Sequence, residues 1–246
     1  MDRLIYTAMT GAKHTLEQQA TTSQNLANAS TTGFRAQIDG FRSVPIVGDG
    51  LPTRSFVVDA TVGSNFASGP MQQTGNSLDV AVQGTGWLAL QTDDGSEAYT
   101  RSGSLQVSVN GILQTQTGVP VEGEGGPISI PPDTTVTIGA DGTVSSIDNT
   151  TTPVNVTTLG KLKLVNPPTQ NLVRGDDGLF RTKNGAPVDA DATVVVAGGM
   201  LEGSNVNMVD SMVNMINLSR QFDLHITMLK TAETMDNSAE QIMTLS

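Results

Sequence analysis

Ile5, Met9, Ala12, Leu16, Gln19, Ser23 and Leu26 follow one another at alternating spacings of four and three residues, and so do His225, Met228, Ala232, Met235, Ala239 and Ile242. Such spacing keeps one face of a helix toward a partner helix, as in a coiled coil, so it predicts a long helix at each end of the chain. The first should start near Asp2, whose carboxylate suits the positive end of a helix, and stop near Asn28, with Gly33 taking the left-handed conformation beyond it. The second should start at Asn207, a capping residue with Asp210 three positions on. It should run without Pro or Gly to about Met243, roughly 36 residues and ~54 Å. Both stripes are diluted by Ala, Ser, Gln and His, so neither helix buries much apolar surface alone. The two ends are expected to fold fully only against each other or against neighbouring subunits.

Between the helices the period shortens. Leu78, Val80 and Val82 alternate with Asp79 and Ala81, then Gly84-Thr85-Gly86 turns into Trp87-Leu88-Ala89-Leu90. Asp93-Asp94-Gly95-Ser96 reads as a turn before Ala98-Tyr99-Thr100, and Leu105, Val107 and Val109 run into Asn110-Gly111, a strong hairpin signal. Short apolar pieces continue to Leu179-Phe180 and Val194-Val195-Val196. Strands this short and regular predict an antiparallel, curled β-domain, with Leu78, Val80, Trp87 and Tyr99 in its core. From Phe34 to Gly75 the pattern is irregular, with Pro45, Pro52 and Pro70, and pieces such as Phe56-Val57-Val58 suggest extended strands. That stretch is too long for an ordinary loop and is expected to lie along another surface. The predicted class is α+β: paired terminal helices in a coiled-coil-like bundle, with an extended β-rich linker and the β-domain between them. The expected boundaries are 1–35 for the first helix, 36–77 for the linker or hairpin, 78–198 for the β-domain and 199–246 for the returning helix.

Composition narrows the function. Of 246 residues, 37% are hydrophobic and 4% aromatic, a polar, turn-rich balance that suits short strands. Thirteen Lys and Arg stand against 24 Asp and Glu, a net charge of −11. Nucleic-acid backbones call for clustered cations, so no nucleic acid is expected as a partner. With no cysteine, disulfides and thiolate metal sites are excluded. No apolar run reaches the ~20 residues of a membrane span, so no membrane insertion is expected, and the first residues lack the pattern of a cleaved leader.

Catalytic chemistry finds no foothold in these residues. His14 and His225, one on each helix, make no convincing metal site without a further ligand. Gly84-Thr85-Gly86 opens a strand rather than a helix, so it is not a phosphate loop. Asp176-Asp177-Gly178 and Asp189-Ala190-Asp191 lack the remaining ligands of a calcium loop and read as turns. Asn28-Ala29-Ser30, Asn149-Thr150-Thr151, Asn155-Val156-Thr157 and Asn217-Leu218-Ser219 match glycosylation acceptors by composition alone. Ten methionines, many on the last helix, suit adaptable packing in a core or a subunit interface. No catalytic residue, metal or cofactor is expected.

Three segments resemble the bacterial flagellar basal-body rod and hook protein family. They are Asn25-Leu26-Ala27-Asn28-Ala29-Ser30-Thr31-Thr32-Gly33-Phe34-Arg35, Thr74 through Val82 on to Tyr99-Thr100-Arg101, and Gly199 through Asn207. Length and one β-domain fit a proximal rod subunit; Ser77 and Leu88 depart from common residues of the family. The resemblance implies a structural subunit, repeated head to tail into a hollow helical drive shaft that transmits torque across the periplasm. Its implied partners are copies of itself, other flagellar rod proteins and, in transit, the flagellar export apparatus, with no cleaved signal peptide. Ile5, Met9, Leu16 and Leu26 are expected to pack against Met228, Met235 and Ile242, within or between subunits. Asn25 and Asn28 are expected to satisfy carbonyls at the helix end, and Phe34 to anchor the following turn; Leu26, Ala27, Thr32 and Gly33 complete the motif. The alternative is a secreted β-rich binding module or adhesin oligomerised by its helices.

Overall fold

The computed structural model describes the backbone of residues 2–45, 55–148 and 155–244; the Asn149 triplet, the Pro52 turn and the Ile242 side chain lie outside what it describes. The chain is α+β, with two long helices and antiparallel sheets, none of them closed. It divides into two units, residues 1–29, 36–65 and 206–246 forming one, and 30–35 and 66–205 the other.

In the first unit, α1 spans Asp2–Ala27 and α2 spans Met208–Thr244. Asn207 caps α2 as its side chain should: Oδ1 accepts the N–H groups of Val209 at 3.0 Å and Asp210 at 3.3 Å. Gln18 through Asn25 share a groove with Ser211 through Gln221, and Gly11 faces the His225 ring, so the helices run antiparallel. The stretch that reads as irregular contains a continuous ribbon, β1 (Gln37–Pro45) paired antiparallel with β2 (Ser55–Ser64), with a bulge between Gly40 and Phe41. Backbone pairing needs no side-chain alternation, which is why the pattern hid it. Two strands alone are marginal in water, and α1 supports these. His14 Nε2 donates to the Val57 carbonyl at 2.8 Å, and its ring meets Phe41 edge-on at 5.4 Å. Asn25 pairs both backbone groups of Gln37, Nδ2 to its carbonyl at 2.9 Å and Oδ1 from its N–H at 2.8 Å. One amide thus stands where a neighbouring strand's peptide would.

In the second unit the largest sheet has the order Leu164–Val165, Trp87–Gln91, Glu97–Thr100, Phe180–Thr182, Leu172–Arg174. A three-stranded meander, Thr134–Ile138, Thr143–Asp148 and Val156–Lys161, and several two-stranded ribbons complete it. Val80–Gln83 pairs with Val195–Gly198, joining the beginning of this unit's long segment to its end. The strand Trp87–Gln91 is buried on both faces. Leu88 and Leu90 join the main core with Val80, Val82, Leu113 and Leu162, while Trp87 and Ala89 join Tyr99, Val165 and Phe180. Val80 and Tyr99 are fully buried and Trp87 nearly so; Leu78 is half-buried against the main core. Asp79 and Ala81, which alternate with Val80, are buried too. Asp79 is accommodated by hydrogen bonds from Thr74 Oγ1 at 2.6 Å and Asn76 Nδ2 at 3.2 Å.

Candidate assembly surface and motif junction

Small side chains form the seam between α1 and α2. Ala8, Ala12 and Thr15 are buried on α1 and Ala232 on α2, while a Cβ added at Gly11 would come within 2.5 Å of the His225 ring. At Gly11 the missing side chain leaves the space that the His225 ring occupies. The bulky members of the expected stripes turn outward instead: Met9 is 53% exposed, Leu16 48%, Met228 44% and Met235 51%. Ile5 and Leu26 are half-buried. The inward line on α1 thus runs through Ala8, Thr15 and Thr22, one residue before Met9, Leu16 and Ser23. Of the expected stripe members, Ala12 and Ala232 are buried and His225 meets Gly11, while Met9, Leu16, Met228 and Met235 keep about half their surface in solvent. Met208, Val209, Met212, Val213 and Ile216 add a contiguous apolar exposure over the first turns of α2. Isolated exposed apolar residues are ordinary, but contiguous ones mark contact surfaces.

The ends of the Asn25–Arg35 motif do separate work. Asn28 Nδ2 donates to the Gln24 carbonyl at 2.9 Å, closing the helix, whereas Asn25 serves the ribbon. Thr32, Gly33, Phe34 and Arg35 belong to the β-unit. Gly33 has φ +68°, and a Cβ there would lie 2.3 Å from the backbone of Arg101 and Ser102, so only glycine fits. Its N–H donates to the Glu202 carbonyl at 2.8 Å, and Asn205 N–H donates to the Phe34 carbonyl at 3.3 Å. Thr32 Oγ1 meets Ser102 Oγ at 3.0 Å. Phe34 is buried, and the Arg174 guanidinium stacks over its ring at 4.4 Å.

At the centre of this junction lies a buried ion triad. Glu202 Oε1 accepts from Arg35 Nη2 at 2.8 Å and from Gly69 N–H at 2.8 Å, and Oε2 accepts from Arg101 Nη1 at 3.1 Å. The side chains of Arg35 and Glu202 are wholly inaccessible to solvent. Arg101 also donates to the Val82 carbonyl at 3.1 Å and the Gly84 carbonyl at 2.6 Å, and lies 5.4 Å from the Trp87 ring centre. Burial pushes the Arg101 guanidinium below its usual range; Glu202 opposes that shift and Arg35 adds to it. The three segments that carry the family resemblance therefore meet on one carboxylate. Sequence reasoning marked those segments but not Arg35, Arg101 and Glu202 as partners. A signal was present, since Arg35 and Arg101 are the only cations, and Glu202 the only charge, within their motifs.

A second polar cluster crosses the β-unit. Lys163 bonds Glu97 and lies 3.5 Å from Glu122, and Tyr99 OH donates to Glu97 at 2.9 Å. Partial burial pushes Glu97 up, but the bonds from Lys163, Tyr99 and the Val188 N–H hold it below the usual carboxylate range. In the two aspartate segments that read as turns, Asp177 pairs with Arg181 at 2.6 Å, and Asp191 accepts from the Thr193 N–H at 2.9 Å. Among the described residues no cluster of acids and histidines could hold a metal, and no helix is long and apolar enough to cross a membrane.

A helix pair that seals its own seam with small residues and turns its methionines outward is built as an assembly subunit. Comparison with known proteins gives the same class. Residues 5–35 match the flagella basal body rod protein family, residues 81–146 the flagellar hook protein FlgE/F/G D1 domain, and residues 197–242 the flagellar basal body rod FlgEFG protein C-terminal region. The flagellar basal-body rod protein FlgF of Escherichia coli K12 is 47% identical over 253 residues, covering 100% of both chains. FlgF of Salmonella typhimurium LT2 is 44% identical over 252 residues, again across 100% of both, and FlgF of Caulobacter vibrioides 34% over 248, or 98% of this chain and 95% of the relative. The chain belongs to the flagellar basal-body rod protein family.

Proposed function

We propose that this protein is a FlgF-type structural subunit of the proximal flagellar rod, joined head to tail with its own copies and with other rod proteins. The observation that carries this reading is the outward placement of Met9, Leu16, Met228 and Met235 on a helix pair already closed by small residues. Those side chains keep about half their surface in solvent in a single subunit, and burying the rest of each is worth on the order of 1 kcal/mol. A contact repeated with a rotation that does not close generates a helical shaft, and packed helices can transmit torque along it. The terminal helices would line the shaft in coiled-coil-like contact. Passage through the flagellar export apparatus fits a chain without cysteines.

Met235→Asp tests this reading directly. It puts a charge where burial comes only with assembly, and an unpaired buried charge is strongly unfavourable. The variant should fold and be exported normally in cells lacking the native subunit, yet leave electron micrographs of basal bodies without a completed rod. Normal swimming by such cells, at normal levels of the variant, would refute the reading.

A further inference from the structure

Every sulfur in this chain is a thioether, because it has ten methionines and no cysteine. Oxidants that elsewhere divide between thiols and thioethers find only methionine here. Among the described side chains, five methionines lie on the helices with about half their surface in solvent: Met9 at 53%, Met208 and Met212 at 46%, Met228 at 44% and Met235 at 51%. Met200 and Met215 are half-buried, and Met71, on the β-unit, is 38% exposed. These five thioethers are thus among the bulky apolar side chains that α1 and α2 leave half in solvent.

We propose that these five methionines form a reversible oxidation site that controls association of the subunit, with hydrogen peroxide or a related two-electron oxidant as its reagent. The inference rests on the rod-subunit reading, which assigns the exposed apolar positions of both helices to neighbouring subunits. The thioether sulfur attacks one peroxide oxygen; the S–O bond forms as the O–O bond breaks, and the departing hydroxide takes up a proton to leave as water. Sulfur loses two electrons and peroxide gains them. The product replaces a flexible apolar side chain with a polar sulfoxide. Exposed on a free subunit, a sulfoxide is solvated at no cost. Buried in a helix interface, it must find a donor or lose its hydration, which weakens association by about tenfold or more at each site. The chain holds no thiol with which to reverse the change, so repair needs a separate thiol-dependent sulfoxide reductase.

The test uses the full chain. Self-association is measured by sedimentation on untreated protein, after hydrogen peroxide, and after subsequent treatment with sulfoxide reductases specific for both epimers. Peptide mass spectrometry reads the sites. A variant with Met9→Leu, Met208→Leu, Met212→Leu, Met228→Leu and Met235→Leu keeps the apolar face and retains Met71 as a reactive control. The wild type should gain oxygen at the five sites ahead of Met200 and Met215, lose association by at least about tenfold and recover it on reduction. The leucine variant should associate and ignore peroxide although Met71 is oxidised. Unchanged association of wild type oxidised at all five sites, or equal peroxide sensitivity of the leucine variant, overturns the proposal. Failure of untreated wild type to associate at any concentration overturns the assembly reading itself, and shows before peroxide is added.

Discussion

Glu202→Gln removes one charge and almost no volume from the triad. The carboxylate accepts from Arg35, Gly69 and Arg101. A glutamine can still present its oxygen to Arg35 and Gly69, but its NH2 then points at Arg101 Nη1, donor against donor. Two guanidinium groups are left without a counter-charge, Arg35 where its side chain meets no solvent. Breaking a buried pair by removing one partner costs about 3–5 kcal/mol, a large share of the roughly 5–15 kcal/mol that stabilises a typical domain. Urea unfolding followed by tryptophan fluorescence measures the cost, because Trp87 is the single tryptophan, is 3% exposed and lies beside Arg101. With a denaturant slope of about 2 kcal/mol per molar, the midpoint should fall by about 1.5–2.5 M. Arg35→Met with Glu202→Gln should cost less than the two single changes summed, since the second removes a charge the first has stranded. A midpoint shift below about 0.5 M, or strict additivity, would refute the account of the triad as the centre of the junction.

Trp87→Ala should destabilise the β-unit by about 3–5 kcal/mol, read as a lowered melting temperature by circular dichroism; an unchanged melt would put the Trp87 pocket outside the core. A fragment of residues 30–205 should unfold cooperatively, whereas one of residues 36–205 should be several kcal/mol weaker because Glu202 and Arg101 lose Arg35; equal stability would show that residues 30–35 are dispensable to the unit. Lys163→Met should lower stability at neutral pH and matter less in acid. The lowered Glu97 carboxyl contributes stability that is present above its unfolded value, near 4.5, and is lost as pH falls through its folded value. Urea midpoints of both proteins at pH 7 and near pH 3 measure this, and a gap that widens in acid would contradict it.

The amino-acid sequence by itself determined the elements whose causes are local. The Asn207 cap, the left-handed Gly33, the Asn110-Gly111 turn and the bounds of both helices depend on groups a few residues apart. Gly111, at φ +77°, donates its N–H to the Ser108 carbonyl at 2.9 Å, as a tight hairpin requires. Trp87 was legible as core because a lone indole among alternating apolar residues has few other places to go. Which face of α1 turns inward was settled only by the tertiary structure. On α1, a line through Met9 and Leu16 and one through Ala8 and Thr15 share the same four-and-three rhythm, one residue apart, so periodicity alone favours the bulkier line. The fold takes the smaller, because at Gly11 the His225 ring already fills the space that a side chain would need. Burial of both faces around Val80 and Leu88 likewise needs the second layer in place. Arg35, Arg101 and Glu202 are far apart along the chain, and their partnership exists only once the fold brings three motifs to one point, where the solvent that would have dispersed their charges is gone.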